Sequence, residues 1–363
     1  MIPIANPDLG QSEVERVSDV IDSGMVAAGS IVEEFEDAFA EYCETEYAAA
    51  TSNGTTALHA AIEALNIGAG DRVVTTPFSY IASSNTIRLA GAEPVFADID
   101  ANTFNIDPTS VREIVETQEI DALLVVHLYG LPCDMDELTE IAAEHDIPLI
   151  EDCAQAHGAA YKNHPVGSFG DAGCFSFYPT KNMTTGEGGM IVTDRDDVVT
   201  RAESFANHGR PPEGGYKHVR LGHNFRMTNI AAAIGIEQLE KLPQFLVDRR
   251  QNAQRLTEGI DEDIVDLPMV PSDRTHAYHQ YTIRTDTRDA FLDHLHDHGV
   301  GAKIYYPKCI HQQPAYDSEN YEYECPVAEQ AAKEVLSLPV HPNLSDEEVE
   351  SIIDAVNSFD ERS

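Results

Sequence analysis

Short apolar runs alternate with helix-forming stretches through the first two-thirds of this chain, and that alternation limits the folds open to it. Residues 47–51, 71–77, 93–98, 122–127, 147–150 and 189–193 read as strands, with helices between them such as 135–145. Parallel strands need a crossover of a dozen or more residues. The pattern therefore predicts an α/β fold on a mostly parallel sheet covered on both faces. Ligands of such sheets sit beyond the carboxyl ends of the strands. Ser52, Tyr80, His127, Asp152 and Ser176 fall at or just past predicted strand ends, and Lys181 follows a few residues later.

The stretch 147–193 concentrates the chemistry. An apolar run ends in Glu151-Asp152-Cys153-Ala154-Gln155-Ala156-His157-Gly158, a second strand leads through Ser176 to Lys181, and Gly186-Glu187-Gly188-Gly189 turns into a third. An acid leaving one strand and a lysine leaving its neighbour are the minimal equipment for pyridoxal 5'-phosphate. The lysine bonds the aldehyde carbon, and the carboxylate keeps the ring nitrogen protonated. On this reading Lys181 is covalent anchor and proton carrier, because a buried amine loses part of its charge and can attack a carbonyl. Asp152 holds the ring nitrogen, Gln155 faces the phenolic oxygen, and Tyr80 covers the ring. Ser176 joins Gly54 and Thr55 around the phosphate, where a strand runs into a helix start with free N–H groups. Taken singly, each signal is ordinary. A strand-end acid is most often a cap, a lone lysine is most often solvated, and a Ser/Gly/Thr turn is most often a plain helix start. His157 reads equally as a ligand-facing group or a cap. Order and spacing together single out the cofactor reading.

Composition narrows the setting. The 363 residues suffice for two domains, expected at 1–245 and 246–363 with the boundary near Pro243 to Arg249. Asp and Glu number 63 against 23 Lys and Arg, a formal charge of −40, and no lysine precedes Lys162. Such a surface repels nucleic acid and anionic lipid, so neither is expected as a partner. It also repels itself unless salt screens it, which fits a high-salt cytoplasm. The N-terminus lacks a signal-like core and no run is long enough to span a bilayer, so the expected location is cytoplasmic. Six scattered cysteines read as reduced thiols, and no metal is expected, since the fifteen histidines show no ligand-like pairing. A dinucleotide glycine fingerprint, a P-loop and a G-x-S-x-G elbow are all missing from the sequence, which argues against an oxidoreductase, an NTPase and a serine hydrolase.

Elsewhere, Ser12 reads as an N-cap with Glu15 reaching back, followed by an apolar face of Val14, Val17, Val20 and Ile21 that Gly24 stops. Residues 207–224 form a long loop of the kind that is usually functional or mobile. The remainder reads as a smaller α+β domain with strands at 278–284 and 302–306 and helices at 288–298 and 345–359.

Several motifs resemble the DegT/DnrJ/EryC1/StrS family of sugar aminotransferases over nearly the whole length. They are Ser52-Asn53-Gly54-Thr55-Thr56-Ala57-Leu58, Thr76-Pro77-Phe78-Ser79-Tyr80, the Glu151 to Gly158 run, Phe175 to Asn182, Gly222-His223-Asn224-Phe225-Arg226-Met227 and Leu336-Ser337-Leu338-Pro339. The resemblance implies the aspartate-aminotransferase-like fold (fold type I) and a homodimer with two shared active sites. It further implies that Asn224 reaches the phosphate of the partner's cofactor. Tyr305, His311 and Tyr316 loosely match the family's region that meets the sugar nucleotide, and His157 is a further candidate substrate contact. The implied reaction moves an amino group from L-glutamate to a keto sugar on a nucleoside diphosphate. The turn Thr184-Thr185-Gly186-Glu187-Gly188-Gly189 resembles enzymes that aminate carbon 4 of a 4-keto-6-deoxy sugar. A branch that replaces the lysine with histidine is argued against by Lys181. Rival readings are a cofactor-binding regulator of the same fold without turnover, and a catabolic amino-acid aminotransferase.

Overall fold

A seven-stranded sheet organises the molecule. Its strands are β1 (Tyr47–Thr51), β2 (Arg72–Thr75), β3 (Glu93–Phe96), β4 (Ala122–Val126), β5 (Leu149–Asp152), β6 (Ala172–Ser176) and β7 (Gly189–Thr193), in the spatial order β1-β7-β6-β5-β4-β2-β3. The computed structural model describes residues 1–211, 214–319 and 324–360. The β2–β3, β2–β4, β4–β5 and β5–β6 pairs are parallel, and β7 alone runs against its neighbours. All five residues of β4 and of β7 are buried, as expected for a sheet with helices on both faces.

Register decides which side chains meet. Val126 pairs with Asp152, Asp152 with Cys174, and Gly189 with both Thr51 and Ser176. The carboxyl ends of β1, β4, β5 and β6 therefore line one edge of the sheet, with the start of β7 among them. A Cβ on Gly189 would lie 2.3 Å from the Asn53 carbonyl oxygen, so only glycine lets the two strands close at this level.

The C-terminal unit is a two-stranded antiparallel ladder, β8 (Tyr281–Arg284) with β9 (Val335–Leu338), packed on the helices Arg288–Asp297 and Asp346–Asn357. It begins later than the expected 278, because Tyr278 takes φ 45° and cannot join an extended ladder. The strand expected at 302–306 reduces to one bridge, Lys303 with Ser337. There Tyr306, at φ 62° before Pro307, turns the chain away. The expected boundary near Pro243 to Arg249 falls inside one continuous helix, Asn229–Gly259, which carries Pro243 in its interior. Its first half packs Leu242 and Leu246 against the sheet's apolar layer, and its second half packs Ala253 and Leu256 into the C-terminal core. The N-terminal segment leaves the large unit as well: Ile2 pairs with Val300, and Asn343 donates to the Asn6 carbonyl at 3.2 Å.

The helix Gln11–Ser23 starts two residues earlier than expected. Its cap is Gly10, whose N–H donates to Glu13 Oε2 at 2.8 Å, so Glu13 rather than Glu15 folds back. Gly24 ends it in the left-handed conformation, but Val14 and Ile21 remain exposed. Glu13 is buried, and its Oε1 accepts from Lys241 Nζ at 2.6 Å and Gln238 Nε2 at 2.8 Å. Burial alone would raise its pKa. The hydrogen bonds from Lys241, Gln238 and Gly10 outweigh burial and lower it to about 2. A carboxylate depressed in the folded state stabilises above its unfolded pKa and loses that contribution as pH falls toward the folded one. Glu13→Gln is expected to cost on the order of 2 kcal/mol at pH 7, and about 1 kcal/mol less at pH 3.5. Urea titrations of both proteins check this; an equal gap at the two pH values would refute it.

Candidate active site

Asp152 ends β5 with its side chain buried. Its Oδ2 accepts from Ser83 Oγ at 2.7 Å and its Oδ1 from the Ala154 N–H at 3.1 Å. Burial raises its pKa, and Ser83, the Ala154 amide and the charge of Lys181 pull the other way. Lys181 stands on the turn between β6 and β7, fixed by its own N–H to the Tyr178 carbonyl at 2.8 Å and by Asn182 Nδ2 to the Ala277 carbonyl at 2.8 Å. Burial lowers the amine's pKa to about 8, with Asp152 opposing. The shift moves the amine toward the neutral form that can attack a carbonyl.

A cradle for an anion lies on the same edge. The helix Gly54–Ala64 begins directly after β1, capped by Asn53, whose Oδ1 accepts the Thr56 N–H at 2.9 Å. The amides of Gly54 and Thr55 occupy its first two positions, where no intrahelical acceptor exists. A Cβ on Gly54 would sit 2.6 Å from Ser176 Cβ. The missing side chain is what lets the Ser176 hydroxyl and the helix start converge on one point.

Beneath Asp152, its neighbour Glu151 is fully buried. Oε1 accepts from the amides of Phe169 and Gly170, and Oε2 from the Gly167 amide and His127 Nε2, at 2.8–2.9 Å. The Cys133 N–H points at His127 Nδ1 at 3.0 Å, so Nδ1 carries no proton and Nε2–H is donated to Glu151. Cys153 lies within 4.8 Å of this pair. The four donors use the carboxylate's lone pairs, so the cluster reads as framework and not as a metal centre.

Gln155 is buried, with Oε1 accepting the Tyr129 N–H at 2.8 Å and Nε2 donating to the Tyr306 hydroxyl at 2.9 Å. Tyr80 is exposed and precedes the helix Ala82–Leu89, which carries Ser83. Asn224 is exposed at the end of the long loop, where it bridges to Asn207. His157 is fully buried among Phe175 and Phe177, and burial pushes its pKa down to about 3, so it is a neutral packed imidazole. Tyr316 is buried too, its hydroxyl within 2.9 Å of the Ser84 hydroxyl and of Asn85 Oδ1, the acceptor of its one proton. His311 pairs with Glu329 at 3.1 Å. His157 is packed between the Phe175 and Phe177 rings with both ring nitrogens buried and without a hydrogen-bond partner among the described residues, while Tyr305 stays half-buried under Lys303 Nζ.

A model of the DegT/DnrJ/EryC1/StrS aminotransferase family matches residues 7–357. The chain belongs to this family. The GDP-perosamine synthase of Escherichia coli O157:H7 is 38% identical, over 99% of this chain and 98% of its own. A dTDP-3-amino-3,6-dideoxy-alpha-D-galactopyranose transaminase of Aneurinibacillus thermoaerophilus is 39% identical over 96% of each. The crystal structure of S. venezuelae DesV with a ketimine intermediate superposes with a TM-score of 0.91 at 36% identity, covering 95% of this chain and 93% of that one. This DegT/DnrJ/EryC1/StrS member is accordingly an aminotransferase of fold type I that uses pyridoxal phosphate. Its own residues fit the cofactor: a buried carboxylate at a strand end, an amine depressed toward neutrality, and a helix start cleared by glycine opposite Ser176. When bound, the cofactor supplies an electron-withdrawing ring.

Sequence reasoning missed two groups. Ser83 lies one helical turn beyond Tyr80, and a hydroxyl in the first turn after a strand-end motif was a usable signal. Tyr306 carried none, since its contact with Gln155 spans 151 residues.

Proposed function

We propose that this family member transfers the amino group of L-glutamate to carbon 4 of a 4-keto-6-deoxy sugar carried on a nucleoside diphosphate. The observation that carries the reading is the Lys181 amine, pushed toward neutrality by burial, beside buried Asp152 and the Gly54–Ser176 cradle. In that frame Lys181 moves the proton between the donor's alpha carbon and the cofactor, Asp152 holds the ring nitrogen's proton, and Gly54, Thr55 and Ser176 hold the phosphate. The relatives' names supply the sugar nucleotide, and the Thr184 to Gly189 turn favours carbon 4. Charge supports a diphosphate. Residues 207–226 hold Arg210, Lys217, Arg220 and Arg226 against one acid, Glu213, in a chain of charge −40. Tyr216 and Leu221 protrude from the same loop at 94% and 92% exposure. We take the loop to cross to a second copy, carrying Asn224 to the partner's phosphate site, so that the working unit is a homodimer in a high-salt cytoplasm.

The test is a panel of acceptors offered to the glutamate-treated holoenzyme in molar KCl. GDP- and dTDP-linked 4-keto-6-deoxy sugars are expected to restore the starting visible spectrum, and free 2-keto acids other than 2-oxoglutarate are not. Equal use of free keto acids would favour amino-acid catabolism, and turnover of only a 3-keto sugar nucleotide would move the reaction to carbon 3. Sedimentation of the same samples is expected to show a dimer that weakens when salt is withdrawn; a salt-independent dimer would remove the high-salt argument.

A further inference from the structure

The Gln155 amide is held at both ends. A backbone N–H can only donate, so the atom facing Tyr129 N is Oε1, and the other end, Nε2, must meet the Tyr306 oxygen. The orientation of the amide is thereby fixed by the network. One Nε2–H goes to Tyr306, and the second has no partner among the described residues.

Tyr306 is itself tightly set. It takes φ 62°, a conformation that a bulky residue adopts only where its surroundings impose it. Its ring stacks on Tyr129 (6.3 Å, 19°) and meets Phe78 edge-on (6.0 Å, 83°). Tyr129 also takes a positive φ, 57°. Two strained tyrosines, one from the turn after β4 and one from the C-terminal unit, thus converge on one amide. Burial, with Asp152 nearby, raises the phenol's pKa, so it stays protonated at working pH and its oxygen remains an acceptor for Gln155.

We propose that Tyr306 is a positioning residue for amino transfer: with the Tyr129 amide it locks Gln155 so that the free Nε2–H is presented to the phenolic oxygen of the cofactor. This rests on the reading that Gln155 meets that oxygen. The clamp also ties the cofactor's hydrogen bonding to the C-terminal unit, so a displacement of residues 302–307 would be felt at the ring.

The experiment compares native holoenzyme with Tyr306→Phe, Gln155→Met and the double variant, each loaded with pyridoxal phosphate. The readouts are the pH midpoint of the visible band of the lysine-bound cofactor and separate kcat and KM values. A donor to the phenolic oxygen favours its anionic form, so losing or loosening it raises the midpoint. Tyr306→Phe is expected to raise the midpoint by about half to one pH unit. It should also lower kcat several-fold while leaving both KM values within about two-fold. Gln155→Met should raise the midpoint at least as much, and the double variant no further, because the two residues act in series. If Gln155→Met leaves the midpoint unmoved, the reading of Gln155 fails. If it moves the midpoint and Tyr306→Phe does not, only the clamp fails. A raised sugar KM at an unmoved midpoint would make Tyr306 a substrate contact and overturn the proposal. A folding defect, seen as a lowered thermal midpoint in Tyr306→Phe alone, is separated by Gln155→Met, which removes the same hydrogen bond from the other side.

Discussion

Lys181→Ala is expected to lower amino transfer from L-glutamate by roughly 10⁴-fold or more. Proton transfer by a positioned side chain is worth about 10²–10⁴-fold, and in the proposed function the same amine is also the covalent anchor. Asn182 to Ala277 and the Lys181 backbone to Tyr178 hold this turn at the sheet edge. The fold should survive, because removing the side chain relieves the cost of burying an amine. Single-turnover spectra with glutamate measure the effect, and a small added amine should recover part of the rate. The native protein adds a pH signature. Its amine titrates near 8, so covalent uptake of the cofactor should accelerate from pH 6 to about 8 and then level off. A flat profile, or a loss of only about ten-fold in the variant, would place the proton carrier elsewhere.

The largest effect on stability is expected at Glu151, a residue that touches no reacting atom. Its carboxylate takes four donors, three of them backbone amides of residues 167–170, which lead into β6. Glu151→Gln keeps the size but turns one acceptor end into a donor, facing either the Phe169 and Gly170 amides or Gly167 and His127. His127 cannot adapt by changing tautomer, because Cys133 already donates to its other nitrogen. Breaking a buried charged network by removing one partner costs about 3–5 kcal/mol. A drop in melting temperature of about 5 °C follows. Differential scanning calorimetry of the cofactor-free proteins would check it, and a change below about 1 kcal/mol would mean the network is not the support described. Cofactor affinity should fall with stability, since Asp152 is the next residue on the strand.

Much of the site was legible because its information is local. The acid at a strand end, the lysine after the next strand and the Ser-Asn-Gly-Thr helix start are short-range patterns, and each occurs where the reading placed it. Errors came where one long-range contact overrode a local rule. Ser12 looked like the cap, yet Glu13 folds back because Lys241 and Gln238 hold it from 228 and 225 residues away. Residues 302–306 looked like a strand, yet Tyr306 leaves the ladder to meet Gln155.

By itself the sequence determined the residue types, their order and the two periodicities, which is enough to specify a parallel sheet with a lysine and an acid at one edge. Tertiary structure alone decided which groups meet that pair. Ser83 reaches Asp152 across 69 residues and Tyr306 reaches Gln155 across 151. The physical reason is that side-chain alternation encodes only the face on which a residue lies. Strand register and crossover paths decide what stands opposite, and these come from packing the whole sheet at once.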